Sequence, residues 1–253
     1  MAITEILLLF AGGILAGAIN VMAGGAGFMT FPLLVAAGMS EIEANASNFV
    51  ALLPANIAGL AAYRKELRNP RLKLGLRLGL AAAGGTVGSM ALLWLGEASF
   101  RRAIPWLLLV ATVIFAAAPS IKSWLARHHG FDGERWLWLS FILEFLIYAY
   151  GGYFGLGMGF VLLATYAMFG HEDIHEANVL RNATIGLITV IGIALFAHAG
   201  IIRWIPSFIM MTGAVIGGYL MLRFASGLPQ IWMRRMILAW AVTLTAIAFY
   251  RYF

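Results

Sequence analysis

The chain has no cysteine and very little charge: of its 253 residues only 11% are charged. Without cysteine there is no disulfide, no thiolate metal site and no cysteine nucleophile. So little charge also excludes an ordinary soluble domain, which carries about 25% charged and about 45–50% apolar residues. Here 62% of residues are hydrophobic and the mean hydropathy is +0.89. The first residues lack the basic flank and cleavage pattern of a secretory signal, so this apolar run is expected to stay in the protein.

Apolar stretches fill the whole length. Bounded by charge, Gly or Pro, they run Ile3–Met22, Ala26–Ala37, Ala44–Tyr63, Leu74–Leu95, Ala103–Ile121, Trp136–Tyr150, Gly157–Phe169, Asn178–Ala199, Trp204–Leu222 and Ile231–Tyr250. Most approach the roughly 20 residues that a helix needs to cross a bilayer. The expected fold is therefore all-α, a polytopic bundle of transmembrane helices forming a single membrane domain over residues 1–253 of the cell (inner) membrane. Ala26–Ala37 and Gly157–Phe169 are too short to cross untilted, and each follows a glycine cluster. A Gly-rich interruption at depth is tolerable only where protein or a watery cavity covers its backbone.

These two interruptions belong to an internal repeat. Gly24-Gly25-Ala26-Gly27-Phe28 matches Leu156-Gly157-Met158-Gly159-Phe160, and Glu43-Ala44-Asn45 returns as Glu176-Ala177-Asn178. Gly84 and Gly88 correspond to Gly213 and Gly217, and Arg101-Arg102 to Arg234-Arg235, all at about 130 residues. Residues 1–129 and 130–253 are thus two copies of one unit, each a Gly-rich broken or re-entrant hairpin plus three spanning helices. Basic residues collect on the cytoplasmic side of a membrane protein. An odd number of crossings per copy leaves only Arg101, Arg102, Arg203 and Arg251 of the 17 Lys and Arg residues outside. An even number gives a weaker asymmetry, so the copies are expected to be inverted, a recurrent plan of secondary transporters. The net charge of +6 reads as this orientation signal, with no nucleic-acid partner, because aromatic residues do not interleave the basic ones. The run Arg64 to Arg77 reads as a solvated cytoplasmic loop, with contact to anionic lipid plausible.

Backbone N–H groups freed at a helix break, together with the helix dipole, favour an anion. Gly24, Gly25 and Gly27 in one hairpin and Gly155, Gly157 and Gly159 in the other are the first candidates for substrate binding. The competing role is close helix packing, since Gly13/Gly17, Gly84/Gly88, Gly155/Gly159 and Gly213/Gly217 all fit GxxxG. Asn45, Ser47 and Asn48 begin the helix after the first hairpin; Asn178, Arg181, Asn182 and Thr184 begin the one after the second. Polar groups on an apolar helix face need partners or water, which makes them substrate-side candidates. The rigid donor fork of Arg181 suits an oxyanion, unless it snorkels to the interface. Glu144, alone among apolar neighbours, is a proton-coupling candidate or the partner of an arginine.

His171-Glu172-Asp173-Ile174-His175 satisfies HExxH, the pattern of zinc proteases. The repeat sets it opposite Met39 to Glu43, a loop entering a helix, and a further ligand is found only in His198. An intramembrane zinc protease is therefore the distant alternative; the expectation is no enzyme, metal or cofactor.

The paired hairpins, Gly24 to Phe28 with Pro32 and Gly155 to Phe160, each followed by Ala-Asn and small polar residues, resemble the TauE/SafE sulfite exporter family over nearly the whole chain. The resemblance implies a secondary transporter of sulfite or a small organosulfonate, coupled to an ion gradient. An anion channel and a small-carboxylate permease are the alternatives. Implied partners are the anion, membrane lipids, H+ or Na+ as coupling ion, and a second copy in a homodimer.

Overall fold

The computed structural model describes residues 3–23, 25–62, 73–125, 134–169, 174–224 and 230–252. Among them every regular element is a helix: α1 Ile3–Ala23, α2 Gly27–Ala36, α3 Glu41–Ala62, α4 Leu74–Leu125, α5 Glu134–Tyr153, α6 Met158–Met168, α7 Ile174–His198, α8 Trp204–Phe224 and α9 Gln230–Tyr252. Among the described residues four helical stretches are long and apolar enough to cross a membrane: Ile3–Asn20, Leu74–Ala117, Glu176–His198 and Trp204–Met221. Large apolar side chains such as Leu7, Leu15, Met90, Ile142 and Val190 face outward, as a hydrocarbon solvent requires.

The sequence separates Leu74–Leu95 from Ala103–Ile121, and the structure breaks between them: the run Leu74–Leu125 is two helices that meet at Gly96, where φ is 70° and ψ −178°. That backbone conformation is closed to residues with a side chain, so one glycine replaces the expected loop. Arg101 and Arg102 lie in the helix just beyond this break.

The two short segments are half-helices. α2 has 10 residues and α6 has 11; at about 1.5 Å per residue they cover only about half of the roughly 30 Å of hydrocarbon. Gly25 and Gly157 hold φ of 79° and 77°, which only glycine adopts cheaply. The turns after them repeat: Phe28 N donates to Gly25 O at 3.0 Å, and Phe160 N donates to Gly157 O at 3.0 Å.

The described residues group into two compact units, one of Met1–Ala55, Leu92–Thr112 and Ile193–Phe253, the other of Asn56–Ala91 and Val113–Gly192. In the first, α1 lies against α8 through small residues from both copies. A Cβ on Gly13 or Gly17 would overlap the carbonyls of Met210 and Ala214, and one on Gly213 or Gly217 those of Phe10 and Ile14. In the second, α4 lies against α5 in the same manner: a Cβ on Gly88 would overlap the Ala149 carbonyl, and one on Gly152 that of Gly85. These glycines serve close backbone approach. Gly159 does not, since a Cβ there would meet only side chains, Arg181 Cδ at 3.4 Å and Ile185 Cδ1 at 3.5 Å.

Candidate functional site

In the first unit the polar residues at the start of α3 are buried: Asn45, Ser47 and Asn48 all face inward. Asn48 Oδ1 accepts the hydroxyl of Thr30, carried by the half-helix α2. Ser47 Oγ accepts the N–H of Arg203 at 3.0 Å, just ahead of α8. Ser47 is thus engaged in holding a helix start, while Asn48 ties α3 to the half-helix. Pro32 in α2 has no N–H to give the Phe28 carbonyl one turn back. The indole Nε1–H of Trp240, on α9, donates to that carbonyl at 3.0 Å. Gly27 opens α2, and Gly24 lies outside the described residues.

In the second unit α7 carries the corresponding set. Counting from the repeated Glu-Ala-Asn, Arg181 occupies the register position of Asn48. Its Cδ lies 3.4 Å from where a Cβ of Gly159 would stand, so the arginine stem crosses the first turn of the half-helix α6. Nε and Nη2 donate to Asn182 Oδ1 at 3.3 and 3.1 Å. Arg181 is half-buried, as is Asn178. Thr184 is buried and donates to Leu180 O at 2.8 Å. The structure therefore brings Gly159, Arg181 and Asn182 together, a guanidinium poised at a helix N-terminus. Gly155 and Gly157, both with φ 77°, shape the turn, which Tyr150 closes by donating its hydroxyl to Leu156 O.

A second charged group of this unit was not foreseen in the sequence. Arg77, counted there with the solvated loop, is 1% exposed in the first turn of α4. Its Nε lies 3.1 Å from Oε2 of Glu144, whose side chain is 0% exposed. Glu144 Oε1 accepts Ser140 Oγ at 2.7 Å, and Oε2 accepts the Tyr148 hydroxyl at 3.0 Å. The Tyr148 and Tyr166 hydroxyls are 2.9 Å apart. Glu144 thus has the arginine partner that the sequence left open. A signal existed: Arg77 is the one charge inside Leu74–Leu95, and Glu144 the one carboxylate inside Trp136–Tyr150.

The sequence profile described as sulfite exporter TauE/SafE matches residues 9–249. The chain belongs to the sulfite exporter TauE/SafE family. It is 28% identical over 256 residues to a probable membrane transporter protein of Haemophilus influenzae, covering 97% of this chain and 95% of that one. To the probable membrane transporter protein YfcA of Escherichia coli K12 it is 24% identical over 249 residues, covering 96% and 88%. A probable membrane transporter protein ORF9 of Sinorhizobium sp is 25% identical over 226 residues, covering 86% and 82%. No solved structure matches. The protein is a multi-pass membrane transporter of a small-molecule substrate.

In this TauE/SafE protein three of the four arginines expected outside, Arg101, Arg203 and Arg251, are paired. Arg101 Nη2 lies 2.9 Å from Glu41 Oε2 and 3.7 Å from Glu97 Oε1. Arg251 Nη2 is 4.0 Å from Glu41 Oε1, and Arg203 Nε 3.3 Å from Glu43 Oε1. Glu97, just past the break in α4, accepts the Glu41 and Ile42 N–H groups at 3.0 and 3.2 Å and so caps α3. Glu41 opens α3 ahead of the apolar run. Burial raises its carboxyl, but hydrogen bonding with Glu97, Tyr252 and Arg101 outweighs this and holds it at about 2. Of the HExxH motif, His171 and Glu172 lie outside the described residues, as does the side chain of His175.

Proposed function

We propose that this transporter carries a small oxyanion, sulfite or an organosulfonate, by alternating access of two inverted repeats. The observation that carries this reading is Arg181 laid over Gly159 at the first turn of the half-helix α6, with Asn182 as its neighbour. An oxyanion is suited to that arrangement: a guanidinium offers paired N–H donors, and the start of a helix adds partial positive charge. The matching use of Asn48 and Thr30 on α2 supports a role for both copies in recognition. Exchange of partners between copies, α1 with α8 and α4 with α5, supports the repeat boundary near Gly130. Gly25, Gly155 and Gly157 serve by shaping the half-helix starts, Asn45, Asn178 and Thr184 by polar lining. The protein is no enzyme in this reading.

The test is a thermal-shift screen of sulfite, sulfoacetate, thiosulfate and small carboxylates on detergent-purified protein. Stabilisation by sulfur oxyanions that Arg181→Ala abolishes is the expected result. Stabilisation by carboxylates alone reassigns the substrate, and stabilisation unaffected by Arg181→Ala removes this site.

A further inference from the structure

A buried ion pair in an apolar core costs more in desolvation than it returns, and well-packed apolar residues often replace it with a gain in stability. The core around Arg77 and Glu144 is apolar, with Ala81, Leu162, Leu180 and Ile188 among its buried members. The charged and titratable groups that face Glu144 come from three helices: Arg77 from α4, Tyr148 from its own α5, and Tyr166 from α6. The Arg77 guanidinium stands 5.2 Å from the centre of the Tyr166 ring and 5.9 Å from that of Phe141. A run of hydroxyls, each able to donate and accept, therefore leads from the Glu144 carboxylate through Tyr148 to Tyr166 on the half-helix α6, the element that also carries Gly159.

We propose that Glu144 is the proton-binding group that couples anion movement to a proton gradient, at one proton per monoanion; this rests on the transporter reading above. A proton from water on one side forms an O–H bond at a Glu144 oxygen, and on the other side the same bond breaks and the proton returns to water. Protonating Glu144 removes a negative charge 3.1 Å from the Arg77 Nε and leaves this unit one charge more positive. A substrate monoanion entering this unit restores neutrality, so proton and anion each raise the other's affinity. With Glu144 ionised, the pair is already balanced and the anion has less to gain. Sodium fits poorly in the same place: the Arg77 guanidinium already stands 3.1 Å from the carboxylate and repels a second cation.

The experiment uses purified full-length protein in proteoliposomes and two labelled monoanion probes, sulfite buffered on the acid side of neutrality as hydrogensulfite and methanesulfonate, each measured for counterflow at equal pH and for uptake under an outside-acid gradient. Wild type is expected to show both, with accumulation approaching about tenfold per pH unit, the limit for one proton per anion. Glu144→Gln is expected to retain counterflow and lose accumulation driven by the gradient. If Glu144→Gln does not fold, the double variant Arg77→Met/Glu144→Gln, which leaves no unpaired buried charge, takes the same test. Undiminished gradient-driven accumulation in the variant overturns the proposal, as does parallel loss of counterflow and accumulation in a monodisperse variant. Absence of counterflow in wild type with both probes instead overturns the transporter reading, and the proposal falls with it.

Discussion

Trp240 donates its indole N–H to the carbonyl of Phe28 at 3.0 Å, the carbonyl that Pro32 leaves without a helical donor. A proline in a half-helix at membrane depth exposes an acceptor that no water satisfies, and α9 supplies the missing donor. Trp240→Phe removes it and should destabilise the protein by about 1–2 kcal/mol. Pro32→Ala restores the helical N–H, so the indole bond becomes dispensable and the loss on Trp240→Phe should shrink in the Pro32→Ala background. A double-mutant cycle read by denaturant unfolding in detergent checks this; strict additivity of the two substitutions would show that the bond is not what couples them.

Glycines at the α1–α8 contact differ sharply from those on open helix faces. A Cβ on Gly17 or Gly217 would overlap a backbone carbonyl, whereas Gly79 has nothing within 4 Å. Gly217→Ala should therefore cost about 2 kcal/mol or more by forcing the helices apart. Gly79→Ala should gain up to about 1 kcal/mol from helix propensity. Melting temperatures of the two variants in one detergent give the comparison, and equal shifts would contradict it.

Arg181→Lys keeps the charge at the α6 turn but not the planar fork. It is expected to weaken oxyanion binding by about tenfold, roughly 1.4 kcal/mol, with Arg181→Ala weaker still. Titration calorimetry with sulfite distinguishes this graded loss from the unchanged affinity expected of an interfacial lysine substitute.

Acid should weaken the end of the first unit where Glu41 meets Arg101, Arg251 and Tyr252. A carboxyl held near 2 in the fold, against about 4.3 when unfolded, stabilises above the unfolded value and loses that contribution as the pH falls toward 2. Wild type should therefore lose melting temperature between about pH 5 and pH 2 more steeply than Glu41→Gln, the two curves converging in acid. Parallel curves would mean that the Glu41 contacts add nothing.

Periodic and compositional features were legible in the sequence. Helix number, the two short half-helices and their glycines follow from local rules about bilayer length and backbone conformation, and the structure bears them out. Glu97, Arg101 and Arg102 interrupt the apolar run and so divide Leu74–Leu95 from Ala103–Ile121; a charge count does not reveal that a single residue with positive φ suffices to turn the chain. Arg77 was grouped with its sequence neighbours Arg71 and Lys73, although its partner Glu144 lies 67 positions away (144 − 77). Thr30 and Trp240 went unread for the same reason: their roles exist only through residues far along the chain, Asn48 and Phe28. The polar residues grouped on α7 were legible in the sequence because three- and four-residue spacing on a helix is itself local.

Counterflow of labelled sulfite in proteoliposomes loaded with unlabelled sulfite tests the central claim most directly. The account predicts saturable uptake that internal sulfite accelerates and that Arg181→Ala abolishes. Uptake indifferent to internal sulfite, or carried by single-channel currents, would contradict it.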